Sequence, residues 1–166
     1  MRLLFKKALP VNLFKNVEIS RLKEQIEKYP ATKILNPVDF SELEFAPDLL
    51  VRCFNDIILI QFIDEYITPE ELYFLATLSL SFKKKFEENK EKKGEVIIVF
   101  FLKGEGLTEK HREVLRVAER LFDMEGEIDI RDYEEIEEEN FPNFLEHKIW
   151  YKYFAYFKRY KEKGVL

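Results

Sequence analysis

The run Glu95–Leu102, EVIIVFFL, narrows the fold more than any other stretch of the chain. Seven consecutive apolar β-formers follow one glutamate, with no alternation that would leave one side of a strand wet. Such a strand needs cover on both faces, so it belongs in the middle of a layered α/β sheet. Upstream, Thr68-Pro69-Glu70-Glu71 has the chemistry of a helix start. Thr68 can accept from the third helical amide, Glu71 can reach back, and Pro69 sits where no amide donor is needed. Leu72, Leu75, Ser79, Phe82 and Phe86 then recur at helical spacing, so a helix is expected to about Lys90, with Gly94 breaking the chain.

A hairpin is expected before that helix. Leu49–Phe54 and Ile57–Ile63 read as two strands joined by Asn55-Asp56, residues that tolerate the positive φ of a two-residue turn. With that turn, Leu50 faces Gln61 and Asp48 faces Ile63. Asp48, Leu50, Gln61 and Ile63 then share one face of the sheet.

The remaining elements follow from local signals. Ile19–Tyr29 is a short helix with Ser20 as cap, an apolar stripe of Leu22 and Ile26, and Pro30 as its stop. Val38–Phe45 alternates enough to be read as a first strand. After EVIIVFFL, the glycines of Lys103-Gly104-Glu105-Gly106 make a turn, and Leu107–Phe122 is expected as a helix with Thr108 as cap and Leu115, Ala118 and Phe122 on one face. A phosphate loop is rejected there, because Glu105 and Glu109 would repel a pyrophosphate. Gly126–Arg131 is a short strand, Glu134–Glu139 an acidic connection, and Asn143 with Glu146 opens an aromatic helix to Lys163.

Composition bounds the class. The chain of 166 residues is 46% hydrophobic and 36% charged, with few glycines and prolines, which suits a single globular domain over residues 1–166. Many charges and few amides lean towards a heat-adapted source. The lone Cys53 rules out a disulfide framework and points to a reducing cytoplasm. Lys6, Lys7 and Pro10 interrupt the apolar start before a secretory core could form, and no apolar run approaches the ~20 residues of a membrane span. A soluble, cytoplasmic protein without a membrane partner is expected. His111, His147 and Cys53 have no zinc spacing, and no nucleophile motif is present.

The order α-β-β-β-α-β, with Pro47-Asp48 opening the second strand, resembles the PD-(D/E)XK nuclease superfamily. The phrase PDLLVRCFNDIILIQF is similar to the Pro-Asp strand and the strand after it in families of that type. The resemblance covers residues 19–102 and implies a restriction-endonuclease-like αβββαβ core, here followed by an α-β-α extension over 103–166. It also implies that the Pro-Asp aspartate and an acid on the next strand hold Mg²⁺ or Mn²⁺, with a lysine two residues past the acid positioning the attacking water. Asp48 matches the first acid. The acid-x-lysine positions are occupied by Gln61 and Ile63. Gln keeps an oxygen without the charge, and Ile cannot replace lysine. Glu24 on the first helix is a candidate supplementary metal ligand, and a displaced lysine would have to come from Lys83 to Lys85. The other reading of Asp48 is a Pro-Asp that shapes the entry to its strand.

Charge is uneven along a chain of net charge −5. Residues 1–28 and 147–163 are basic, and 124–139 are strongly acidic. The last helix interleaves Trp150 and other aromatics with Lys148, Lys152, Lys158 and Arg159, the combination that binds single-stranded nucleic acid. The same stripe also suits packing on a sheet or a dimer contact. The expected protein is an α/β domain with a mixed sheet flanked by helices. Its leading function is that of a catalytically degenerate nuclease-like domain that binds nucleic acid or a protein partner and needs no cofactor. The alternatives are an active Mg²⁺- or Mn²⁺-dependent nuclease using Asp48, Gln61 and Glu24, and a homodimer built on the C-terminal helix.

Overall fold

A computed structural model describes residues 19–20, 23–24, 26–27, 32–53, 55–64, 66–92, 94–102 and 107–132. Five strands form one mixed sheet: β1 (Thr32–Ile34), β2 (Leu49–Cys53), β3 (Asp56–Ile63), β4 (Val96–Leu102) and β5 (Ile128–Asp132). They lie side by side in chain order. β2 is antiparallel to both of its neighbours, whereas β3, β4 and β5 are mutually parallel. The parallel pairs are connected through two helices, α1 (Pro69–Glu88) and α2 (Glu109–Leu121). Residues 19–20, 23–24 and 26–27 are helical, as expected for the first helix.

β4 occupies the place its composition demands, between β3 and β5 with Val96, Ile98, Val99, Phe100 and Phe101 all fully buried. Side chains alternate between two apolar layers. One layer joins Leu50, Ile57, Leu59, Ile98, Phe100 and Ile128 of the sheet to Leu72, Leu75, Phe82 and Phe86 of α1 and to Leu115 and Ala118 of α2. The other joins Leu49, Val51, Cys53, Ile58, Ile60, Phe62, Val99 and Phe101 to Ile26 of the first helical segment. Full burial of each such Leu, Ile or Phe contributes about 1.5–3 kcal/mol, so removing cover from either face would be costly.

Both helices start at the threonines their sequences indicate. The Thr68 hydroxyl accepts from the Glu71 amide at 3.1 Å, and Pro69 occupies the first turn. α2 begins at Thr108, whose hydroxyl accepts from the His111 amide while the His111 ring accepts from the Thr108 amide at 3.3 Å. The imidazole therefore stands where a capping box more often has Glu.

Two expectations are corrected. The first strand is Thr32–Ile34, not Val38–Phe45. Asn36 and Pro37 explain the difference. The Asn36 side chain accepts from the Val38 amide, and Pro37 opens a 3₁₀ turn over Pro37–Asp39. Phe40, Leu43 and Phe45 enter the core from irregular chain, which made them look like an alternating strand. That chain is tied to α1 and the turn after it by Lys85 on Glu44 at 3.2 Å and Lys92 on Glu42 at 2.7 Å.

The hairpin register is also displaced, by two residues. Cys53 pairs with Asp56 and Leu49 with Ile60, so Asp56 belongs to β3 instead of the turn. Its carboxylate accepts from the Glu95 amide at 2.9 Å, and the Ile57 amide donates to the Glu95 carbonyl. The start of β4 thus recruits Asp56 into the sheet. A shift of two keeps every side chain on its face, so the shared face of Asp48, Leu50, Gln61 and Ile63 stands.

Gly94 is required where these segments meet. Its φ is +105°, and a Cβ there would lie 2.0 Å from the Asn55 carbonyl oxygen. Only glycine permits that approach.

Candidate functional site at the β2–β3 strand end

The corrected register sets Asp48, one residue before β2, directly across from Gln61. Two hydrogen bonds join them in reciprocal fashion. The Asp48 amide donates to Gln61 Oε1 at 3.1 Å, and the Phe62 amide donates to Asp48 Oδ2 at 2.8 Å. Each side chain thereby serves a backbone donor on the other strand, where the regular ladder has ended. The bond to a carboxylate is the stronger kind. Gln61 is buried, Asp48 is half-buried between solvent and core, and Pro47 beside it is buried.

The chemistry available here is narrow. Gln61 brings an oxygen that already accepts from Asp48, and no negative charge. Ile63, at the position where the sequence resemblance implies lysine, is buried in the layer beneath α1. Asp56 lies at the opposite end of β3, where it accepts from the Glu95 amide, and Asp64, just beyond Ile63, accepts through Oδ1 from the Tyr66 amide at 3.1 Å. Glu24 is exposed on the first helical segment. Among the described residues no group of three or more His, Cys, Asp or Glu side chains converges to hold a metal ion.

The lysine that could have migrated is placed elsewhere. Lys83 is buried, and its ammonium donates to the Val96 carbonyl at 2.6 Å and pairs with Glu87 at 2.8 Å. Val96 is the first residue of β4 and lies beside Ile57, whereas Gln61 lies beside Phe100. Four residues of strand, roughly 13 Å, separate the two positions. Lys84 and Lys85 are exposed on the same turns of α1, and Lys85 is paired with Glu44. Lys83 supports the far end of the sheet and does not complete a site at Asp48.

His111 is a structural hub that its sequence context did not announce. Its Nε2 lies 2.7 Å from the Ile67 carbonyl oxygen, which can only accept, so Nε2 carries the hydrogen and Nδ1 receives the Thr108 amide. The ring links the start of α2 to the segment before α1. The spacing Thr-x-x-His was the available signal. Cys53 is buried in β2, and burial, with a smaller contribution from the Asp56 carboxylate, pushes its thiol up to about 12. It is no nucleophile at neutral pH.

The candidate binding residues Lys148, Trp150, Lys152, Lys158 and Arg159 lie outside the described residues, as do the acidic segment 134–139 and the expected C-terminal helix. No helix among the described residues is long and apolar enough to cross a membrane. No protein-family model, curated protein or solved structure matches this chain.

Proposed function

We propose that the chain is a nuclease-like domain of the PD-(D/E)XK type in which catalysis is silent and binding to nucleic acid is what remains. One observation carries this reading. The aspartate of the Pro-Asp pair faces the residue that would be its partner acid, but that residue is Gln61, and both side chains are engaged with strand amides. The lysine position holds buried Ile63. Support also comes from the element order, a helical segment, a three-stranded meander, a helix and a parallel strand, followed by the helix and strand of the extension. A site without its second acid and its lysine lacks the means to concentrate charge on a metal and to activate water.

Titration of duplex and single-stranded DNA at low salt and then at rising salt tests the proposal, with a cleavage assay in Mn²⁺ run beside it. Binding that weakens steeply as salt rises, without cleavage, is the expected result. Absence of binding at the lowest salt overturns the binding claim. Cleavage abolished by Asp48→Ala would instead return the metal-dependent nuclease, with Gln61 as a working ligand.

A further inference from the structure

Lys33 of β1 and Arg52 of β2 are direct cross-strand partners, and both side chains are exposed. Opposed residues of an antiparallel pair hold their Cβ atoms about 5 Å apart on one face, a separation at which like charges repel. Arg52 has Ile57 as its partner on β3, and its neighbour on the same face of β2 is the buried Leu50. Glu42 and Glu44, in the segment that follows β1, are already paired with Lys92 and Lys85. Among the described residues, no carboxylate forms an ion pair with either cation. Edge protection explains a lone lysine on a short outer strand. It does not explain an arginine placed opposite that lysine.

We infer that the Lys33–Arg52 pair is a binding site for a phosphate group. The guanidinium offers a planar fork that matches two phosphate oxygens, and the ammonium adds a point charge from the neighbouring strand. A phosphate between them converts the repulsion into two attractions. In the sequence, β1 follows a basic stretch, residues 1–28. Assigning the phosphate to a nucleic-acid backbone rests on the function proposed above; the phosphate site itself does not.

The test compares the wild type with the Lys33→Gln/Arg52→Gln double variant, whose exposed substitutions leave the core untouched. In the first arm, the melting temperature is followed with inorganic phosphate against chloride at matched ionic strength. Phosphate stabilises most proteins by exclusion, so the decisive quantity is the excess in the wild type over the variant. In the second arm, a DNA duplex is titrated at several salt concentrations. Each backbone phosphate that the variant no longer neutralises makes the slope of log K against log salt shallower by about 0.9. A wild-type excess together with a shallower variant slope assigns the site to the DNA backbone. A wild-type excess with equal slopes, or with no duplex binding at all, supports a site for free phosphate. Equal phosphate responses together with equal slopes overturn the inference. Failure of the wild type to bind DNA while the phosphate excess persists would remove the proposed function and leave this site standing.

Discussion

Asp48→Ala should destabilise the fold even if the protein never meets a metal. The Asp48 carboxylate accepts the Phe62 amide at 2.8 Å, at a place where β3 has no further backbone partner on β2. Truncation leaves that amide without its acceptor beside the buried Gln61 and Phe62. Losing a hydrogen bond to a charged group costs about 1.5–3 kcal/mol, and an unsatisfied buried donor lies in the same range. In a domain of this size each kcal/mol moves the melting temperature by about 2–4 °C, so a fall of roughly 3–12 °C is expected. Asp48→Asn keeps an acceptor oxygen and gives up only the charge assistance, so its loss should be about half as large. Urea melts of the three proteins give the free energies, and equal slopes would show that the denatured state is unaltered. The reasoning is refuted if Asp48→Ala melts within about 0.5 kcal/mol of wild type, the range of an inert surface change. It is also refuted if the Ala and Asn variants are indistinguishable. Metal-free buffer is essential, because this effect requires none.

Three further outcomes follow from other parts of the fold. Cys53 should resist a thiol reagent at neutral pH in the native protein and react fully once urea unfolds it, since its thiol is pushed up to about 12 by burial. Rapid labelling of the folded protein would contradict the packing of β2. Gly94→Ala should cost about 2–4 kcal/mol in a urea melt, combining a left-handed backbone with a Cβ pressed on the Asn55 carbonyl. A neutral result would mean that the approach of Gly94 to Asn55 is not maintained. The hydrogen bond from Lys92 holds the Glu42 carboxyl below its ordinary value of 4.5, the effect of burial being opposite and smaller. A depressed carboxylate stabilises the fold above its unfolded value, and the contribution disappears as pH falls through the folded one. The stability of wild type relative to Glu42→Gln should therefore shrink as pH drops below about 4.5, and a difference independent of pH would rule out the ion pair as its source.

Local chemistry made much of this fold readable. Thr68-Pro69-Glu70-Glu71 marks the start of α1 because a cap is decided within four residues, and EVIIVFFL marks β4 because its composition leaves no face for water. The shared face of Asp48, Leu50, Gln61 and Ile63 survived an error in register because side-chain direction depends only on parity. The register itself was not readable. It is set by the bond between Asp56 and the Glu95 amide, two residues 39 positions apart, and no turn rule contains that contact. β1 was misplaced for a related reason. Phe40, Leu43 and Phe45 are buried, but Phe40 packs against Phe82 and Phe86 from a loop, and apolar spacing alone does not separate a loop from a strand. At the candidate site the sequence named both partners, Asp48 and Gln61, while their reciprocal bonds to strand amides needed the corrected pairing. The opposition of Lys33 and Arg52 was invisible until β1 was located.

The position of β3 between an antiparallel and a parallel neighbour implies an order of assembly. The β2–β3 hairpin closes through pairs three to eleven residues apart in the chain, so it can form on the microsecond scale of isolated hairpins. The β3–β4 ladder has to wait for α1 to bring Val96 back to Ile57, a closure that spans 39 residues. Asp56 takes part in both events. It forms the turn-end pair of the hairpin with Cys53 and accepts from the Glu95 amide, so the fast step positions the acceptor for the slow one. Substitution of Asp56 should therefore slow folding more than it speeds unfolding if docking of β4 limits the rate, which a stopped-flow chevron measures directly.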